Sequence, residues 1–224
     1  MDNGETFMTY KAVLFDLDGT LINTLEDIGD AVNRVLINRG FPIHTTDAYR
    51  YFVGDGAAKL IKRALPVEEQ GDETFEACLQ AFKEDYAQNW NVKTRLYEGI
   101  SEMLDTLSSH NIKIAILSNK PHEFTEQCVS EFLPHWNFQV VMGQQDPFPL
   151  KPDPRGALEI ARLLEVLPEE TLYLGDTSID MNTAKAAGMF PVGVLWGFRH
   201  AEELKQSGAR VLITEPIQII NMLS

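Results

Sequence analysis

Asp16 and Asp18 stand two residues apart where a short apolar run gives way to a turn, in Asp16-Leu17-Asp18-Gly19-Thr20. Residues i and i+2 of a continuing strand project from the same side, and Gly19 lets the chain turn sharply after them. Carboxylates this close repel, so a counter-charge must hold them. Oxygen-only ligands suit a hard divalent cation such as Mg²⁺. Alone, the pair reads equally as an acidic loop that caps a helix. A second pair, Asp176 and Asp180 in Gly175-Asp176-Thr177-Ser178-Ile179-Asp180, also follows an apolar run. By itself it too reads as a helix cap. If both runs are strands of one parallel sheet, both acidic ends lie on the same rim and can converge on one ion.

Two further segments carry candidate groups. Ser118-Asn119-Lys120-Pro121 follows a third apolar run. A hydroxyl and free amides at the start of a helix there would suit an anion, although Ser and Asn at that position are also common caps. Lys151 lies among Pro147, Pro149, Pro152 and Pro154. These prolines hold the loop extended, so the ammonium is a fixed point charge if it turns inward and a solvated surface lysine if it does not. The five histidines show no metal-ligand spacing, and His122 reads as a solvated helix-start residue.

The elements that must position these groups follow from the apolar pattern. Ala12–Phe15, Ile114–Leu117, Val140–Met142, Leu172–Leu174 and Val192–Leu195 lack polar alternation, as strands buried on both faces do. Helical spacing separates several of them, over Pro121–Phe132 and Pro154–Leu164. The expected fold is α/β, a doubly wound, Rossmann-like and mostly parallel sheet. Residues 23–95 break the rhythm and read as consecutive helices. Thr24 and Asp27 resemble a capping box ahead of the Ile28, Val32, Val35 face. Ala57–Leu65 gives a second helix, and Phe75, Leu79, Phe82 and Tyr86 mark a third.

Composition narrows the class. The chain has 224 residues, 44% apolar and 23% charged, with a net charge of −14, so neither nucleic acid nor an anionic membrane is expected as partner. An anionic substrate would need local positive charge to overcome that field. Residues 1–7 are acidic and polar, unlike a signal peptide, and are expected to be a disordered tail, with Met8 as an alternative start. Cys78 and Cys128 fall on apolar helix stripes and read as buried thiols, consistent with a reducing cytoplasm. Oligomeric state, monomer or homodimer, stays open.

In order, Asp-x-Asp-Gly-Thr, an apolar strand with Ser-Asn, Lys-Pro, and Gly-Asp-x-x-x-Asp resemble the haloacid dehalogenase superfamily of phosphohydrolases. The resemblance covers the chain after its first ten residues. It implies an α/β core over 1–22 and 96–224 with a helical cap inserted at 23–95. It implies Asp16 as nucleophile, forming an aspartyl-phosphate, and Asp18 as general acid and base. Ser118 would bond the phosphoryl group, and Lys151 would neutralise Asp16 and the phosphoryl oxygens. Mg²⁺ would be held by Asp16, the main-chain carbonyl of Asp18, and Asp176, with Asp180 a ligand or a brace. Thr20, Asn119 and the cap loop residues Gly54, Asp55 and Gly56 would contact substrate.

Within the superfamily, Asp18 and Thr20 follow the phosphatase pattern. Val53-Gly54-Asp55-Gly56-Ala57 resembles the cap loop of phosphoglycolate phosphatases, whose glycines bring amides close to a small carboxylate. Asp55 reads equally as the cap of the helix carrying Lys59. Trp196-Gly197-Phe198-Arg199 shares the likeness, whereas Asn23-Thr24 departs from the usual Asp-Ser. The expected reaction is hydrolysis of a small phosphorylated metabolite, 2-phosphoglycolate foremost. The alternatives are a sugar-phosphate phosphatase, a pyrophosphatase, a β-phosphoglucomutase-like phosphomutase and, more distantly, a non-catalytic phospho-receiver domain.

Overall fold

The computed structural model describes residues 10–223; the tail expected over residues 1–7 and the start at Met8 lie outside them. From β1 (Ala12–Phe15) the chain passes through β2 (Ile22–Asn23) into four helices. These are α1 (Leu25–Asn38), α2 (Thr46–Phe52), α3 (Ala57–Ala64) and α4 (Asp72–Asn89), after which β3 (Arg95–Leu96) leads back. Helix and strand then alternate through α5 (Ile100–Ser109), β4 (Lys113–Pro121), α6 (His122–Phe132), β5 (Val140–Gln144) and α7 (Arg155–Leu163). The chain continues with β6 (Thr171–Gly175), α8 (Ser178–Ala187), β7 (Phe190–Val194), α9 (Ala201–Gln206) and β8 (Val211–Ile213). The six-stranded sheet has the order β5-β4-β1-β6-β7-β8, and every pairing in it is parallel. The strands β2 and β3 form a separate antiparallel ribbon.

The absence of polar alternation has a direct cause. Along β1, Val13 and Phe15 enter one apolar cluster while Ala12 and Leu14 enter another. In β4, Ile114 and Ile116 likewise part from Ala115 and Leu117. Successive side chains of a strand face opposite ways, so both faces of the central strands are covered by helices and every position is apolar. A third cluster joins α1 to α4, with Ile28, Tyr49, Leu60, Cys78, Phe82 and Tyr86 buried together. Both cysteines are free and buried, as their stripes suggest. No helix among the described residues is long and apolar enough to cross a membrane.

Three local expectations are corrected. The third apolar run does not stop at Leu117: β4 continues to Pro121, with an irregularity in its pairing to β5, and α6 starts at His122. Ser118 and Asn119 therefore sit in an extended segment and not at a helix start. The capping box at Thr24 is not formed. The Thr24 hydroxyl donates instead to Asp18 Oδ1 at 2.7 Å, and Asp27 accepts from the amides of Lys93 and Thr94 at 2.8–3.0 Å. Both side chains thus serve longer-range partners than the helix end. His122 is half-buried and accepts from the Gly143 amide at 3.3 Å. Helix α2 escaped the periodicity because seven residues are too few to show it, although Thr45 caps it through the Ala48 amide.

Candidate active site

The carboxyl ends of β1, β4 and β6 deliver the site. β1 and β6 are direct neighbours, Phe15 opposite Leu174, so Asp16 and Asp176 emerge side by side at one rim. Gly19 has φ +93°, and a Cβ there would collide with the Asp176 carboxylate and the Phe198 ring. Only glycine lets the turn after Asp18 come this close to the second strand end. Carboxylate oxygens of Asp16, Asp176 and Asp180 lie within 4.8 Å of one another, all three residues buried.

Lys151 reaches into this cluster. Its Nζ donates to Asp16 Oδ1 at 2.6 Å and to Asp180 Oδ1 at 2.7 Å, with the residue 5% exposed. The reading of Lys151 as a solvated surface group is excluded. Asp180 Oδ2 in turn accepts from the Thr177 hydroxyl at 2.7 Å and amide at 3.1 Å. Asp180 thus has its Oδ2 occupied by Thr177 and holds Lys151 in place with Oδ1. Asp176 Oδ2 accepts from the Phe198 amide at 2.7 Å. A Cβ on Gly197 would strike Asp176 and the Gly19 carbonyl. The Trp196–Arg199 loop therefore fixes the second carboxylate from behind.

Charge in this cluster is unbalanced. Burial, partly offset by Lys151 and reinforced by Asp180 and Asp18, pushes the Asp16 carboxyl up to about 7. Burial followed by repulsion from Asp16 and Asp180 raises that of Asp176 well above the usual carboxylate range. Three buried carboxylates face one ammonium, so the site calls for a further cation, and its all-oxygen donor set fits Mg²⁺.

Asp18 stands apart from the trio. It accepts from Thr24 and from Lys120 Nζ, 2.9 Å from Oδ1 and 3.2 Å from Oδ2. Lys120 is 8% exposed and also donates to the Tyr86 hydroxyl at 3.0 Å. A cavity opens above these groups, lined at its floor by Asp16, Asp18, Ser118, Asn119, Lys120 and Lys151. Helices α1, α3 and α4 roof it with Ile28, Leu60, Phe82 and Tyr86, and Lys83 stands at its mouth. Against the net charge of −14, three lysines gather at this one opening.

Of the expected substrate contacts, Gly54, Gly56 and Asn119 line the cavity. Thr20 does not: it is fully buried and its hydroxyl donates to Asp176 Oδ1 at 3.4 Å. Asp55 turns away to Lys59 and Arg63, and Gly56, not Asp55, occupies the N-cap of α3. Asn119 bonds the Lys151 main chain in both directions, at 2.8 and 3.1 Å, and donates to the Gly54 carbonyl at 3.0 Å. Arg50 donates to the Gly197 carbonyl and Arg199 to the Val53 carbonyl. These three bonds fasten the helical roof to the sheet. Sequence reasoning passed over Lys120, Tyr86 and both arginines. For Lys120 the signal was its i+2 spacing from Ser118, which puts both on one side of an extended strand.

The profile of the haloacid dehalogenase-like hydrolases matches residues 13–194. Phosphoglycolate phosphatase of Pseudomonas putida is 31% identical over 209 residues, 92% of this chain and 76% of its own length. The phosphoglycolate phosphatase of Psychrobacter arcticus is 30% identical over 205 residues, 89% of either chain. A solved structure from Lactobacillus delbrueckii subsp. bulgaricus, provisionally assigned as a phosphoglycolate phosphatase, superposes with a TM-score of 0.91 at 27% identity. It covers 96% of this chain and 99% of that one.

Proposed function

Because this chain belongs to the haloacid dehalogenase-like hydrolase family and is a phosphatase, we propose that it hydrolyses a small phosphomonoester, 2-phosphoglycolate foremost, through an aspartyl-phosphate on Asp16. One observation carries the reading: Asp16 Oδ1 is held by Lys151, while no donor among the described residues reaches Oδ2. Asp16 lines the cavity, and the oxygen left without a protein donor is the attacking atom.

As the Asp16 Oδ2–phosphorus bond forms, the bond from phosphorus to the substrate's bridging oxygen breaks, and Asp18 gives that oxygen its proton. Asp18 then takes a proton from water, which attacks phosphorus and frees Asp16. Lys151 neutralises charge on Asp16 and on the transferring group. The Ser118 hydroxyl, whose oxygen accepts from the Lys120 amide at 3.2 Å, keeps its own proton to donate to a phosphoryl oxygen. Asp16, Asp176 and the main-chain carbonyl of Asp18 would hold Mg²⁺, with Asp180 bracing Lys151 beside them. Bound there, Mg²⁺ supplies counter-charge for the phosphoryl oxygens. Residues 23–95 serve as a cap that excludes water. The free buried cysteines suit a reducing cytoplasm, where we place the protein.

The test is initial rates with Mg²⁺ over 2-phosphoglycolate, sugar phosphates, nucleotides and pyrophosphate. Preference for 2-phosphoglycolate is expected. A clear preference elsewhere reassigns the substrate, and isomerised sugar phosphate without net phosphate release makes the chain a mutase.

Metal dependence carries its own pH signature. The folded carboxyl of Asp16 titrates near 7, against an ordinary 3.8. The metal-free fold therefore keeps a proton that the unfolded chain has lost, and its stability falls as pH rises from the lower value through the upper. Mg²⁺ competes with that proton, so it stabilises more at higher pH. At a hundredfold excess over Kd the gain is about 2.7 kcal/mol, roughly 5–10 °C in Tm for a chain of this size. Thermal melts with Mg²⁺ or with chelator should show a larger gap in mildly alkaline than in mildly acidic buffer. Equal gaps would count against carboxylate ligation.

A further inference from the structure

We infer that Lys120 and Tyr86 together form the subsite for a second, carboxylate end of the substrate, so that the enzyme selects phosphorylated short hydroxy acids. The inference rests on the phosphatase reading above and deepens it.

The Lys120 ammonium has three protons. Asp18 Oδ1 and Oδ2, at 2.9 and 3.2 Å and in nearly one direction from Nζ, share one of them, and the Tyr86 hydroxyl takes a second; among the described residues no other acceptor meets the third. The Tyr86 hydroxyl accepts from Lys120, and its own proton likewise meets no protein acceptor there. Both residues are buried and both line the cavity. Two convergent donors, one cationic, match the two oxygens of a carboxylate. A terminal phosphate would bring a third oxygen without a partner. Lys151 is not available for this purpose, because Asp16 and Asp180 engage two of its protons and the transferring group is served by the third.

Position sets the length of the substrate. Asp18 must meet the bridging oxygen, and Lys120 Nζ is 2.9 Å from Asp18 Oδ1. A group read by Lys120 is therefore only one or two carbons from that oxygen. Phe82, Leu60 and Ile28 close the roof, and a longer polyhydroxy chain would press hydroxyls on them without hydrogen-bond partners. Lys120 comes from β4 and Tyr86 from α4, so the pair is complete only while roof and sheet are in contact.

The experiment compares kcat/KM for 2-phosphoglycolate and for ethyl phosphate, which carries a methyl where the carboxylate would be, with Mg²⁺ present. Wild-type protein is expected to prefer 2-phosphoglycolate by about a hundredfold or more, since a site built for a charged group is left unpaired by the neutral analogue. Lys120→Met should lower both rates, because Asp18 loses a partner, and should also bring the ratio close to one. Lys120→Arg should restore most of the preference. Tyr86→Phe, which removes a single oxygen, should cut the ratio several-fold and decides the matter if Lys120→Met does not fold. Equal losses on both substrates in Lys120→Met or Tyr86→Phe would make Lys120 a positioning residue for Asp18 and overturn the inference. So would a wild-type ratio near one, even with the phosphatase reading intact. Failure to release phosphate from any monoester would remove the underlying reading itself.

Discussion

Replacing Asp16 with asparagine is expected to lower the rate of phosphate release by about 10⁴-fold or more while the fold survives. The amide has the shape of the carboxylate but is a poor nucleophile, so the covalent route closes. The fold has reason to tolerate it. Burial already works against a charge at this position, and the amide oxygen can still accept from Lys151, which retains Asp180 as its counter-ion. In the absence of metal the melting temperature should hold or rise. Initial rates and circular dichroism on the purified variant check both halves. A rate within tenfold of wild type would remove Asp16 from the mechanism.

Lys151→Met is expected to damage activity and stability together. The ammonium is the one cation in direct contact with Asp16 and Asp180 among the described residues, at 2.6 and 2.7 Å. Breaking a buried pair from one side strands the other charge and costs about 3–5 kcal/mol. For a chain of this size that is roughly a 10 °C fall in Tm. Turnover should drop by about 10³-fold, since the transferring group loses fixed electrostatic support. Excess Mg²⁺ should recover part of the stability, being a second counter-charge for the same carboxylates, and little of the turnover. A Tm change of only a degree or two with unaltered turnover would make the lysine a bystander.

Much of this arrangement was legible before the fold was seen. Runs such as Ala12–Phe15 and Leu172–Leu174 read as doubly covered strands because each alternate side chain has an apolar cluster to enter. Once those strands were parallel, Asp16 and Asp176 had to share a rim. What stayed hidden depended on partners far away in the chain. Lys120 fell in a segment that read as the start of a helix after the third apolar run, whereas β4 runs through it and brings it to Asp18, 102 residues distant. Tyr86 lay on a stripe that reads as core, and nothing local shows that its hydroxyl reaches a lysine. Thr24 had the spacing of a cap, but Asp18 offered a charged acceptor and won the hydroxyl. Asp55 was drawn off by Arg63 and Lys59, whose positions one and two turns along α3 favour pairing on the solvent side.

Three of the bonds that fasten roof to sheet end on main-chain carbonyls, those of Val53, Gly54 and Gly197. A carbonyl is offered by whatever amino acid occupies the position. The side chain at 53 can therefore be exchanged, in a laboratory library or by drift, without removing the carbonyl that Arg199 bonds. Closure and selectivity are in this sense separately inherited: the donors Arg50, Asn119 and Arg199 govern the first, and the wall around Lys120 is left free to vary for the second.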